Sequence, residues 1–352
     1  MSETSIPPQK SRLRTALDSD LFYTFTHSPV AVVSTVVVLV MVLASLFAPL
    51  IAPTNPFDPA SLNLMNGFTP PLAPNDFTGE TFLLGTDDQG RDVFSTILYG
   101  MRISLFVGVA AVLFAMVLGI TLGLLSGYLG GWVETIIMRV ADVQLTFPSI
   151  LVAMLIFGVA KGITPVEYRD QMAIWVLILA IGLSDWVQFA RVVRGATLVE
   201  RNKEYVQAAK LIGRSPFSIM IKHILPNTLG PVLVIATISL ALAIIAEATL
   251  SFLGVGAPPT QPSLGTLISN GFKYIHAGRY WLSIYPGIFL MFTVVVLGGL
   301  GSTTGALVGG IVVGIIQSLS GLLFPIHLQN LVLFIIFILV LALRPQGLLK
   351  GV

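Results

Sequence analysis

Long uncharged apolar runs, separated by shorter polar segments, set the pattern along this chain. A helix needs roughly 20 apolar residues to cross a bilayer core. Runs suited to that role fall at 29–51, 103–129, 143–160, 172–190, 229–254 and 280–300, with two more at 305–324 and 328–343. Each run is continuous and does not alternate, so the pattern predicts helices and not barrel strands. The third run is expected to extend backwards through Arg139. The fourth contains Asp185 and the fifth contains Glu247.

The polar segments set an orientation. Between the fourth and fifth runs lie Arg191, Arg194, Arg201, Lys203, Lys210, Arg214 and Lys222, against Glu200 and Glu204. The segment 52–102 is acidic, with Asp58, Asp76, Glu80, Asp87, Asp88 and Asp92. Basic loops stay in the cytoplasm, so 191–228 is expected inside and 52–102 outside. Lys10, Arg12 and Arg14 place the N-terminus inside, and eight crossings return Arg344 and Lys350 to the same side. One loop disagrees: 256–279 should be outside yet carries Lys273 and Arg279. Residues 1–28 are polar and include Asp18 and Asp20. The run after them is longer than a signal-peptide core, so it reads as a retained first span. Segment 52–86 reads as a loop or a small irregular cap.

Composition narrows the chemistry. Of 352 residues, 55% are hydrophobic and 10% charged, and the mean hydropathy is +0.90. Lipid is therefore the solvent for most of the chain. A net charge of +2 gives no reason to expect nucleic acid. There is no cysteine, which excludes disulfides and thiolate sites, and four scattered histidines argue against a metal site.

Several polar positions carry candidate chemistry. In 203–226, Lys203, Gln207, Lys210 and Arg214 share one helical face, and Tyr205, Ala208, Ala209 and Ile212 share the other. A short amphipathic helix there would lie along the membrane surface, as a partner site or as an interfacial anchor. Ala208 and Ala209 would let another surface approach closely, Gly213 would let the chain turn, and Pro226 would start the next span. Gly119, Gly123 and Gly127 form a small-residue face for close helix packing. Intramembrane ionisable residues are functional candidates. Here they are Asp142, expected to pair with Arg139, together with Asp185 and Glu247. Two carboxylates on adjacent spans also raise an intramembrane aspartyl protease, although Gly182-Leu183-Ser184-Asp185 misses the expected Gly-x-Gly-Asp by one residue. A non-transporting membrane scaffold is the third possibility.

Gln207-Ala208-Ala209, Gly213 and Leu225-Pro226 resemble the coupling loop of bacterial ABC importer permeases, with glutamine for the family's glutamate and His223 for its isoleucine. The motif Leu84-Gly85-Thr86-Asp87-Asp88-Gln89-Gly90-Arg91-Asp92-Val93 and the run Tyr99 to Leu105 resemble the second (C-type) dipeptide/oligopeptide permease. So do Gly127 to Gly131, Met138-Arg139 with Asp142, Phe147-Pro148, and Ala246-Glu247-Ala248 leading to Leu250-Ser251-Phe252-Leu253-Gly254. Pro262-Ser263-Leu264-Gly265 lacks the tryptophan of the family's usual Pro-Ser-Trp-Gly.

The resemblance covers about residues 20–292. It implies an all-α polytopic bundle of the ABC importer permease type, in the bacterial inner membrane with both termini cytoplasmic. It implies a channel-forming, non-enzymatic subunit that moves di- or oligopeptides. Nickel or another small solute is the alternative cargo. Partners would be a second permease, two cytoplasmic ATPases that bind the ATP, and an extracytoplasmic solute-binding protein; no cofactor is implied. Glu204, Gln207, Ala208, Ala209, Gly213, Leu225 and Pro226 would couple to the ATPase. Asp87, Asp88, Gly90, Arg91 and Asp92 read as a mutually paired loop, or as a contact for the binding protein or for peptide termini.

Past Phe292 the pattern changes. Gly298-Gly299, Gly305, Gly309-Gly310, Gly314 and Leu343-Arg344-Pro345-Gln346-Gly347 resemble the end of a branched-chain amino-acid ABC permease. No Gly-Lys-Ser/Thr follows these glycines, so they form no phosphate loop. The chain thus reads as a cytoplasmic segment 1–28, a first span 29–51 and an outer loop 52–102. A permease core 103–300 with its coupling loop 191–228 follows. A two-span extension, 301–352, is joined near Thr293–Leu297.

Overall fold

The computed structural model describes residues 26–58 and 62–298. Residues 39–298 form one compact unit, and 26–38 lie before it. Helix α1, Pro29–Leu46, begins in the earlier stretch. A helical turn, Ala48–Ile51, follows it. The chain then forms an irregular cap up to Asp92. Asn66 Nδ2 donates to Glu80 Oε2 at 2.6 Å and Asn75 Nδ2 to Thr69 Oγ1 at 2.7 Å. Isolated bridges pair Pro74 with Thr81 and Thr86 with Asp92.

Helix α2, Val93–Leu129, has 37 residues. At 1.5 Å per residue that is about 55 Å, well beyond a bilayer core of about 30 Å. Its start is fixed by Asp92, whose carboxylate accepts from the Ser95 backbone N–H at 2.9 Å, a capping bond that satisfies an orphan donor. It ends at Gly130, whose φ of +68° suits glycine.

The third expected span, 143–160, is not one helix. Helix α3, Gly131–Leu145, and helix α4, Ser149–Ile163, meet at an angle of 97°. Pro148 lies at the break, and a proline lacks the amide donor and pushes its predecessor out of the helical region. Helix α5, Arg169–Glu200, and helix α6, Glu204–Leu211, follow. A turn at Pro216–Ile219 and a π-helical stretch, Met220–Ile224, lead into helix α7, Leu225–Phe252. The expected cytoplasmic loop is therefore largely helical. Helix α8, Leu264–Phe272, occupies the segment before helix α9, Trp281–Gly298.

Among the described residues, three helices are long and apolar enough to cross a membrane: Val93–Leu129, Val166–Glu200 and Pro216–Phe252; the bent pair α3–α4 would be a fourth. Helices α1 and α9 are apolar and shorter. The expected spans 305–324 and 328–343, and the join's far side, lie outside the described residues.

Helices α2 and α5 pack most closely because their facing residues are small. A side chain at Gly123 would meet the Ala190 carbonyl oxygen and Val193 Cβ, each at 2.7 Å, and one at Gly127 would meet Thr197 Cβ at 2.7 Å. With no hydrophobic driving force between helices in lipid, such backbone approach supplies the van der Waals contact that holds them. Val107, Ala111, Leu177, Ile181 and Phe189 fill the shared core. On the outer faces, Phe106, Val109, Leu113 and Val117 of α2, and Leu233, Val234, Ile238 and Leu242 of α7, are exposed. Helices apolar on both inner and outer faces belong in lipid or against another subunit.

The loop that broke the charge pattern has a local explanation. The Arg279 guanidinium lies 5.4 Å from the ring centres of both Phe68 and Trp281. Its charge is taken up by aromatic faces of the cap and of α9.

Candidate functional site

Among the described residues, polar side chains gather at the corner around α6, the cap turn before α2, the buried junction of α2, α7 and α8, and the seam between α3 and α5.

At the α6 corner the helix is amphipathic, but its inward face is not the expected one. Val206 and Ala209 are buried, whereas Glu204, Gln207 and Ala208 are exposed. Ala209 therefore packs the helix down, and only Ala208 of that pair is available to a neighbour. The spacing of three residues brings Val206 and Ala209 onto one side. Leu211 and Ile212 stand outward at 89% and 76% exposure. Gly213 then turns the chain with φ +79° and open space around it. Gln207 Nε2 donates to the Arg201 carbonyl at 3.1 Å.

The corner is tied to its neighbours through Tyr205. Its hydroxyl donates to Glu200 at the end of α5 and accepts from Asn227 Nδ2 of α7 at 3.1 Å. Burial, then the Glu200 acceptor, push the phenol above its usual range. Leu225 and Pro226 open α7 beside this bond. The sequence reading placed Tyr205 on a face without giving it this role. Lys210 sits 5.5 Å from the Tyr128 ring centre near the end of α2.

The cap turn is built by its own motif. Asp87 Oδ1 accepts from the Gln89 and Arg91 backbone N–H groups, each at 2.9 Å, and Asp87 Oδ2 pairs with Arg91 Nε at 2.7 Å. Burial pushes the Asp87 carboxyl above the usual carboxylate range, against the pull of Arg91. Gly90 has φ +75° and is hard against Asn63. Asp92 caps α2. Four of the five motif residues are thus spent on the turn. Asp88 is exposed, and accepts from the Tyr274 hydroxyl at 3.2 Å.

At the buried junction, Glu247 is completely enclosed. Ser104 Oγ of α2 donates to Glu247 Oε2 at 2.8 Å and Ser251 Oγ donates to Oε1 at 2.7 Å. Each serine in turn accepts a backbone N–H from the following segment: Leu264 on Ser104 at 3.2 Å and Ala257 on Ser251 at 3.1 Å. Glu247 fastens both ends of that segment through two hydroxyl relays. Ser251, four residues on, was visible as an i, i+4 partner; Ser104 lies in the motif run Tyr99 to Leu105, but nothing in the sequence tied it to Glu247.

The other intramembrane candidates lie elsewhere. Asp142 pairs with Arg191 of α5 at 2.5 Å and not with Arg139, which is exposed. Helix α3 packs beside α5, which brings Arg191 within reach, so the sequence-local partner loses. Asp185 lies 3.5 Å from the neighbouring Ser184 hydroxyl. Two further residues of α3 bond to α5: Glu134 with Arg194, and Gln144, whose Nε2 donates to the Ser184 carbonyl at 2.9 Å while its Oε1 accepts from Trp186 Nε1 at 2.8 Å. Asp142 is thus held as the counter-ion of Arg191.

Long helices apolar on every side, packed through small residues and carrying polar clusters at their ends, define a polytopic helical membrane protein. The family model "Binding-protein-dependent transport system inner membrane component" matches residues 119–307, and "N-terminal TM domain of oligopeptide transport permease C" matches residues 19–83. The first match continues past Phe292, where the resemblance was expected to stop. The oligopeptide transport system permease protein OppC of Bacillus subtilis (strain 168) is 34% identical over 80% of this chain and 86% of its own length. The dipeptide transport system permease protein DppC of Haemophilus influenzae is 35% identical over 79% of this chain and 89% of its own. An inward-facing crystal form of the MetNI methionine ABC transporter is 21% identical, with a TM-score of 0.45, covering 57% of this chain and 91% of that chain. The chain belongs to the family of inner-membrane permease components of binding-protein-dependent transport systems.

Proposed function

We propose that this chain is one of two channel-forming subunits of an ABC importer for short peptides, with the cap outside and both termini in the cytoplasm. The names of its relatives support the cargo, and the basic segment 191–228 supports the orientation. A second permease completes the pathway, two cytoplasmic ATPases bind and hydrolyse the ATP, and an extracytoplasmic binding protein delivers the peptide. Residues 103–300 are assigned to the permease core behind the first span, and the expected two-span extension, 301–352, lies outside the described residues.

The observation that carries the reading is the α6 corner. A short helix with an inward anchor, Val206 and Ala209, presents Leu211 and Ile212 to the cytoplasm beside Gln207 and Ala208. Large apolar side chains left exposed on a basic loop are a docking feature. Tyr205 links that corner to α5 and α7, so closure of an ATPase against α6 moves the ends of two long helices. Glu204, Gly213, Leu225 and Pro226 shape the turn on either side.

The test is uptake of a labelled dipeptide by cells making the complete transporter. Leu211→Asp is expected to reduce uptake at least about tenfold, the size of effect seen when an interface anchor is lost, while the chain still reaches the membrane. Wild-type uptake by this variant would remove the coupling role.

A further inference from the structure

A cavity of about 480 Å³ opens between the cap turn and α8. Small-molecule sites commonly measure roughly 300–1,000 Å³. Asp87, Asp88, Gln89 and Arg91 come from the cap, Asn270, Lys273 and Tyr274 from the end of α8 and beyond it, and Leu267, Leu282 and Pro286 supply apolar wall.

The charges in it are unequally committed. Arg91 is taken by Asp87. Asp88 and Lys273 are both exposed and face the same cavity. Lys273 Nζ donates to Asn270 Oδ1 at 3.1 Å, and Asp88 accepts from Tyr274. Among the described residues these two opposite charges do not form an ion pair with each other. A cavity with a carboxylate on the cap side and an ammonium on the α8 side, each hydrogen-bonded only to neutral groups, suits a ligand carrying both charges at its own ends. Beyond the mutually paired Asp87 and Arg91 the rest of the lining is uncharged, part polar and part apolar through Leu267, Leu282 and Pro286, so it leaves the side chains between those ends unselected by charge.

We propose that this cavity binds short zwitterionic peptides on the outer face of the permease. Asp88 receives the peptide ammonium, and Lys273 receives its carboxylate. This deepens the peptide-importer reading and rests on it. The Tyr274 hydroxyl and Asn270 hold the two charges in place, and the Asp87–Arg91 pair keeps the cap turn rigid beneath them.

The experiment measures equilibrium binding of radiolabelled Ala-Phe, N-acetyl-Ala-Phe and Ala-Phe amide to the full chain in lipid nanodiscs, beside dipeptide uptake by the complete transporter. Asp88→Asn is expected to weaken Ala-Phe binding about tenfold and leave the N-acetylated peptide unchanged, since one charge-assisted contact is lost in each case. Lys273→Gln is expected to do the same with the amide as the insensitive ligand. Both substitutions are at exposed positions, and circular dichroism checks that the chain folds. Binding that is unsaturable, or indifferent to both substitutions, overturns the site while leaving wild-type uptake, and with it the importer reading, intact. Wild-type transporter that takes up no peptide overturns both. Loss of association with the binding protein, with peptide binding unaltered, overturns the site in favour of a protein-docking surface.

Discussion

Ser104 and Glu247 lie 143 positions apart in the chain, and the serine hydroxyl donates to the buried carboxylate at 2.8 Å. The same hydroxyl accepts the Leu264 N–H, so α2, α7 and the start of α8 meet at one carboxylate. Every hydrogen in the two relays points towards Glu247, which therefore acts as an acceptor at both oxygens. Glu247→Ala leaves both serine hydroxyls without their acceptor. It should cost about 3 kcal/mol, from unsatisfied groups at about 1–3 kcal/mol each. Glu247→Gln keeps one acceptor and turns an amide donor on the other serine, so it should cost about half as much. Thermal unfolding in detergent checks the order. Variants as stable as the wild type would show that the relays do not hold the fold.

The α2–α5 contact gives a second expectation. Gly123→Val places a branched side chain where Ala190 O and Val193 Cβ already stand at 2.7 Å from the Cβ position. Overpacking of that kind costs about 1–3 kcal/mol. Gly158 has open space at its Cβ, and Gly158→Ala should be neutral or slightly stabilising, since alanine favours a helix. Unfolding midpoints of the two variants should separate in that order; equal midpoints would contradict the packing.

The α3–α5 bonds differ in depth, and their loss should differ accordingly. Trp186 is buried, and its Nε1–H donates to Gln144 Oε1. Trp186→Phe removes that donor and should cost about 1–3 kcal/mol. The Asp142–Arg191 pair is about half exposed on both sides. Asp142→Asn should therefore cost at most about 1 kcal/mol. Dipeptide uptake should also survive Asp142→Asn and Asp185→Asn. Peptidase activity in the purified wild-type chain, lost on either change, would instead revive the protease alternative.

Tyr274 should report the charge on Asp88. The negative charge of Asp88, followed by burial, raises the pH at which the Tyr274 phenol ionises. Forming a phenolate next to a carboxylate is unfavourable, so removing the carboxylate removes the larger cause. Asp88→Asn should move Tyr274 ionisation to lower pH. Tyrosinate absorbance during a pH titration, with Tyr274→Phe identifying the signal, checks the direction. An unmoved titration would separate the two groups.

How much of this was legible in the sequence follows from the range of each interaction. Apolar runs longer than a bilayer core is thick, the absence of cysteine and the asymmetry of basic residues are properties of the chain alone. They give the all-helical membrane class without reference to any contact. The spacing of Gly119, Gly123 and Gly127 marked a close-packing face because helical geometry fixes which residues align. Tertiary structure decided what those features met. The packing of α3 beside α5 paired Asp142 with Arg191 in place of Arg139. The way α6 packs turned Ala209 inward and left Leu211 and Ile212 outside. The fold-back of 253–264 placed Leu264 over Ser104 and created the Glu247 relay, and it also brought Lys273 to the cavity facing Asp88. Helical periodicity and hydropathy are local and survive in the sequence. Partners that arise when a helix bends or a loop folds back depend on distances across the fold, which no spacing along the chain encodes.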